Sequence, residues 1–129
     1  VNEPIRRRVE LDAPPDEVWD ALVTPERLSA WFGGEVELEA RAGGAIAFGA
    51  PGGVSRRGVV EIVDPTRRLA FRWRSVVLGP AGVVVGDVSR VEFELAPLPD
   101  GRTALTVTES SGVLAPHREK IVTSREVLG

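Results

Sequence analysis

The 129-residue sequence predicts one α+β domain in which a curved antiparallel sheet of six or seven strands wraps a C-terminal helix, in the order β-α-α-β6-α. Three observations lead there. Apolar residues recur at helical spacing over residues 15–32, the period changes to two from residue 35 to residue 109, and short Gly, Pro and Asp turns separate the alternating segments. Strands joined by such turns are antiparallel, and a sheet that is apolar on one face must bury it. The helix pair and the final helix are the only covers the order offers. Bending the sheet around a long helix meets that demand and leaves a cavity, because one helix does not fill the whole concavity.

The elements follow in order. Ile5-Arg-Arg-Arg-Val-Glu-Leu11 reads as a first strand with Ile5, Arg7, Val9 and Leu11 on one face. Asp12-Ala-Pro-Pro15 stops it, and Pro15 begins a helix with Asp16 and Glu17 in its first turn, where carboxylates favour exposed amides. Val18, Trp19, Leu22 and Val23 form its apolar stripe. Thr24-Pro25-Glu26 repeats the start signal with a threonine cap, Leu28, Trp31 and Phe32 fall on one side of the second helix, and Gly33-Gly34 ends it.

Period-two segments follow at 35–38, 45–49, 55–63, 68–74, 88–95 and 102–109, with turns at Arg41–Gly44, Pro51–Gly53, Asp64–Arg67 and Pro97–Gly101. The clearest strand sets Leu69, Phe71 and Trp73 against Arg68, Ala70, Arg72 and Arg74. Gly79 to Gly86, glycine-rich and apolar, reads as a mobile loop or the rim of a pocket, and Ala115 to Leu128 as the final helix.

Composition narrows the chemistry. With 43% apolar and 27% charged residues the chain is ordinary globular material, and the length suits a single domain over 1–129. A net charge of -3, and an Arg6-Arg-Arg8 run that alternates across a strand, argue against nucleic acid and anionic membranes. No cysteine is present, which removes disulfides and thiolate chemistry and suits a cytoplasmic location. The N-terminal stretch lacks the apolar region of a signal peptide, and Val76–Val85 is too short and too broken by glycine and proline to cross a bilayer as a helix, so no membrane insertion is expected. His117 is the only histidine and tyrosine is absent, so no catalytic array, metal centre or cofactor is expected. Gly79-Pro-Ala-Gly82 lacks the lysine and hydroxyl residue of a phosphate loop. The chain has no methionine, so its ends need not be those of the natural protein.

The candidate ligand-binding residues are Trp31, Phe48, Phe71, Trp73, Phe93, Glu109, Arg74 and Asp87. The aromatics serve either as plain core or as cavity lining, with Trp31 and Trp73 favoured for the cavity. Arg74 lies on the solvated strand face unless a β-bulge re-aims it inward, where its planar fork suits a carboxylate. Glu109 continues the parity of Leu105 and Val107, which points it inward. Asp87 adjoins the glycine-rich segment and is expected in solvent or at the rim.

The run Val18-Trp-Asp-Ala-Leu-Val-Thr-Pro-Glu-Arg-Leu-Ser-Ala-Trp-Phe32 resembles the signature of the START-like helix-grip superfamily (SRPBCC), in its bacterial branch related to the activator domain of the heat-shock-protein-ninety ATPase. Gly58–Trp73 and Gly101–Glu109 are similar to the same branch. The resemblance covers nearly the whole chain and implies the helix-grip fold. It departs at the end, where Gly112 is followed by Val113 instead of tryptophan and the final helix is shorter and more polar, either divergent or truncated. The inward positions are overwhelmingly apolar, so the expected function is non-catalytic binding of a small apolar or aromatic ligand. Two alternatives come with the resemblance: an enzyme of the polyketide cyclase or aromatase type, and a stress-related module that binds a protein partner. A homodimer is expected if the short final helix leaves part of the sheet uncovered.

Overall fold

The computed structural model describes residues 4–49 and 54–111. Strand β1 (Ile5–Leu11) is followed by helices α1 (Pro15–Val23) and α2 (Pro25–Phe32). Six further strands then run in sequence: β2 (Glu35–Leu38), β3 (Ala45–Gly49), β4 (Val54–Asp64), β5 (Arg68–Gly79), β6 (Gly82–Pro97) and β7 (Thr103–Ser111). All seven form one antiparallel sheet in the order β1-β7-β6-β5-β4-β3-β2. The predicted final helix over 115–128 with His117, the Pro51–Gly53 turn and the side chain of Phe32 lie outside the described residues.

The helix pair carries the chain from one edge strand, β1, to the other, β2. Its apolar stripe packs on the inner face of the sheet through Val18, Ala21, Leu22 and Leu28, all buried, with α1 against β6 and α2 against β2. Both helices begin at the expected prolines, whose missing N–H is no loss at a first helical position. The threonine cap takes a different form. The Thr24 hydroxyl donates to Asp20 Oδ1 at 3.5 Å instead of accepting from the first turn of α2. Gly33 closes α2 in the left-handed conformation (φ 79) that side chains resist, and its N–H donates to the Ser29 carbonyl. The Ser29 hydroxyl oxygen in turn accepts from Val36 N–H at 2.8 Å, which sets the angle at which β2 leaves the helix.

On the inner face Leu69, Phe71 and Trp73 of β5 stand opposite Phe93, Val91 and Ser89 of β6, and all six are buried. The outer face is polar. There Arg72, Glu61, Arg90, Glu92 and Arg68 form an unbroken ladder of ion pairs across β4, β5 and β6 with N–O separations of 2.6 to 2.8 Å. Ala70 lies beneath this ladder and is fully buried, although it faces outward. A bulge at Glu61 brings that carboxylate between Arg72 and Arg90, since β4 gains one residue between the pairs Val60↔Phe71 and Ile62↔Ala70.

The glycine-rich segment differs from expectation. Residues 79–86 are not a loop: β5 and β6 continue as a hairpin past the pairs Val76↔Val85 and Val77↔Val84, turning at Pro80-Ala81 with Gly82 at φ 126. The β-branched valines favour extended backbone, and the glycines are confined to the turn and to a bulge at Gly86-Asp87. Val77, Val83, Val84 and Val85 remain exposed on both faces of this arm, the last three by half or more.

Two outcomes are expected. The fully buried Thr103 donates its hydroxyl to the Ala13 carbonyl at 2.7 Å, tying β7 to the turn before α1. Thr103→Val strands that acceptor and should lower unfolding free energy by about 1–2 kcal/mol in urea titration, whereas Thr106→Val should be near neutral. Burial works against the charge of Glu92, but hydrogen bonds from Arg90 and Arg68 hold its carboxyl below the usual value. A lowered folded-state value adds stability that is present above the unfolded carboxylate value and is lost as pH falls through the folded one. Glu92→Gln should therefore cost on the order of 1 kcal/mol at neutral pH, with the gap from the parent protein closing on acidification. A gap independent of pH from neutrality to acid unfolding would show that the ladder charge contributes nothing.

Candidate functional site

The inner face carries a chain of aromatic rings that begins on β3, crosses β5 and β6 and ends on α2. Phe48 lies 6.3 Å from Trp73, Trp73 meets Phe71 edge-on at 4.7 Å, Phe71 lies 6.1 Å from Phe93, and Phe93 lies 5.8 Å from Trp31. Alternation on each strand puts these side chains inward, and the helical spacing of Leu28 and Trp31 brings the last ring down onto Phe93. All five predicted aromatics are thus gathered, each no more than 5% exposed. Glu109 joins them on the inner face as its parity predicts, opposite Val91 and 4% exposed.

Arg74 and Asp87 do not join them. Arg74 stands on the outer face, exposed, directly opposite Val88 and Arg57. A bulge is present nearby, but it begins after Arg74, at Gly86-Asp87 of the facing strand, and so leaves the arginine's direction unchanged. Asp87 is the exposed side of that bulge. Gly86 forms its inner side, where an added Cβ would meet Ser75 Oγ at 2.5 Å.

The charged residue that does face inward is Arg56 of β4, which the sequence reading did not single out. Its side chain is 6% exposed, and its guanidinium carbon lies 5.9 Å from the Phe48 ring centre and 5.7 Å from that of Trp73. With the two rings 6.3 Å apart, these distances make a nearly equilateral triangle, so the cation sits over the notch between them. Burial pushes the guanidinium below its usual value, opposed by the charge of Glu109 three strands away on the same face. Arg56, Ser75, Ser89 and Glu109 run diagonally across the inner face from β4 to β7: Arg56 lies opposite Ser75, Ser89 opposite Trp73, and Glu109 opposite Val91, level with Phe71. The signal for Arg56 was its spacing of two and four from Gly58 and Val60. The bulge at Glu61 obscured it, since counting back by twos from the inward Val63 puts Arg56 outside.

An open pocket of about 470 Å³ lies along β2, β3 and β4. It opens on the outer face, lined by the outward rows Glu35, Gly49, Ser55 and Glu37, Ala47, Arg57, with the inward-facing Phe48 and Arg56 between them in sequence. Its walls are amphipathic instead of wholly apolar. Gly34 passes close to β3 at one end, where a Cβ would lie 2.8 Å from Phe48 Cε1 and collide with the Gly49 carbonyl. Among the described residues no three His, Asp or Glu come together as metal ligands, and no helix is long and apolar enough to cross a membrane.

The comparisons with known proteins agree with this architecture. A protein of Mesorhizobium loti, MLL2253, superposes with a TM-score of 0.76 at 21% identity, over 98% of this chain and 96% of that one. CalU16 of Micromonospora echinospora is 30% identical with a TM-score of 0.67, over 98% of this chain and 72% of that one. The Aha1 dimer of Colwellia psychrerythraea, at 18% identity, gives a TM-score of 0.71 over 98% and 96%. The sequence matches no curated protein significantly. Residues 12–125 match the family described as "Activator of Hsp90 ATPase homolog 1-like protein", a span that takes in both helices and every strand from β2 to β7. The chain belongs to that family.

Proposed function

We propose that this chain binds a small amphipathic molecule without transforming it, at the aromatic inner face of the sheet. The observation that carries the reading is the unbroken chain of five aromatic rings on that face, which runs from Phe48 on β3 to Trp31 on α2. The candidate contacts are Trp31, Phe48, Phe71, Trp73 and Phe93, with Glu109 and Arg56 as the charged groups of the inner face. Arg74 and Asp87 remain candidates only for the outer surface, given their exposure. Binding is favoured over a cyclase-like reaction because Arg56 and Glu109 are the only buried ionisable side chains among the described residues, and no acid-base pair converges with a nucleophile.

Native mass spectrometry of protein purified from a bacterial host or charged with a lipid-rich extract tests this. A small hydrophobic or amphipathic molecule should be retained at close to one per chain and released on denaturation. Protein that stays empty after exposure to the extract would remove the binding reading.

A second reading has its own observation. Val77, Val83, Val84 and Val85 present an apolar arm to solvent, and soluble domains seldom leave such a run uncovered. The resemblance to a dimeric structure and to activators of a heat-shock ATPase supports a protein contact here, a second copy of the chain being the simplest occupant. Light scattering after size-exclusion chromatography should then report a dimer. The triple substitution Val83→Ser, Val84→Ser, Val85→Ser should convert it to a monomer with unchanged far-ultraviolet circular dichroism. A monomeric parent protein across the micromolar range would exclude self-association through the arm.

A further inference from the structure

A strand edge without a neighbour invites pairing with another chain, and this sheet guards its outermost strands with charge. β1 carries exposed Arg6, Arg7 and Arg8, and β2 carries exposed Glu35 and Glu37, so a second copy laid along either strand sets like charges together. Residues 82–88 of β6 form another such edge, because β7 pairs with β6 no further than Ser89↔Ser111 among the described residues. No charge guards this one before Asp87, and Val83, Val84 and Val85 are each exposed by half or more.

The sequence of this edge suits a copy of itself. Gly82-Val-Val-Val-Gly86 reads the same in both directions, so antiparallel pairing about a two-fold axis at Val84 sets Gly82 against Gly86 and Val83 against Val85. The backbone agrees with that register. The two-residue turn at Pro80-Ala81 makes Gly79↔Gly82 the closing hydrogen-bonded pair of the hairpin, and hydrogen-bonded pairs alternate along it. Gly82 and Val84 therefore direct their N–H and C=O groups to β5, whereas Val83 and Val85 direct theirs to the open side. With the axis at Val84, Val83 and Val85 of opposite copies exchange both backbone hydrogen bonds, and Val84 meets its own equivalent in the intervening pair. An axis at Val85 would set Val83 against Asp87, and one at Val83 would set Val85 against Ala81 in the turn. Asp87 falls beyond the self-paired segment, beside the turn of the other copy, which keeps the two carboxylates apart.

We propose that two copies of the chain join edge to edge through the arm, with β6 of each paired antiparallel to β6 of the other about a two-fold axis at Val84, so that both sheets continue as one. The inference rests on the reading of the arm as a contact between copies and supplies its geometry. It gives the exposed valines neighbours across the axis and the open N–H and C=O groups protein partners.

Disulfide trapping tests the geometry without interference, because the chain has no cysteine of its own. Val84→Cys sets the new thiol opposite its equivalent in a non-hydrogen-bonded pair, with Cα atoms roughly 4.5 Å apart and within disulfide range. Mild oxidation with copper phenanthroline should convert most of this variant to a covalent dimer that a reductant dissolves. Val83→Cys and Val85→Cys meet their own equivalents only diagonally, and Val59→Cys lies on β4, away from the arm, so each should trap at least about fivefold less. Val85→Pro removes an N–H on the open side and spares the pairing with β5, so it should turn the dimer into a monomer in light scattering with unchanged far-ultraviolet circular dichroism. A parent dimer that the triple serine variant dissociates, but in which Val84→Cys traps no more than Val83→Cys or Val85→Cys, would overturn the edge pairing and leave the arm as a contact between copies through its faces. A monomeric parent with no trapping at Val84→Cys would remove both readings.

Discussion

Removal of one sheet face from water is the constraint on which the rest of this structure depends. Leu69 and Phe71 of β5, Val91 and Phe93 of β6, and Leu105 of β7 are all completely buried on adjacent strands. Each side chain of this size contributes roughly 1.5–3 kcal/mol when it leaves water, so the central three strands cannot remain uncovered. The helix pair is the first consequence. Its short elements, joined at Thr24 with no intervening loop, span the sheet from the β1 edge to the β2 edge and lower Leu22, Leu28 and Trp31 onto that face. The aromatic chain is the second, because large rings fill the space between a bent sheet and a pair of short helices better than aliphatic side chains do.

Charge is divided between the two faces in opposite ways. On the outer face, arginine and glutamate alternate across three strands in water, where each pair contributes little alone and the network spreads the benefit. On the inner face two ionisable groups, Arg56 of β4 and Glu109 of β7, are buried three strands apart in a low-dielectric setting. Stability alone does not account for the second arrangement, since hydrophobic residues of similar volume would serve the fold as well or better.

The hairpin arm belongs to neither face. β4 pairs with β5 as far as Val54↔Val77, and β7 pairs with β6 as far as Ser89↔Ser111, so the described sheet gives the arm beyond these points no second neighbour on the β6 side. Its valines are well suited to strand backbone and poorly suited to water. That combination is the physical basis on which the arm is proposed as a protein contact.

The order of elements, the antiparallel sheet and the identity of its buried face were written in the sequence, because periods of two and of three to four translate directly into which side chains share a face. Phe71, Trp73, Phe93 and Glu109 were found by that rule and lie where it puts them. Tertiary structure alone decided the places where the count of residues slips. The extra residue at Glu61 turns Arg56 inward and Glu61 outward, and the slip at Gly86-Asp87 comes one step too late to re-aim Arg74. A β-bulge adds one residue to one strand without changing composition or local hydrophobicity, so single-strand periodicity does not register it. Only the pairing of both strands reveals it. For the same reason the valines of 83–85 read as a loop among glycines, and became strand once β5 was long enough to pair with them.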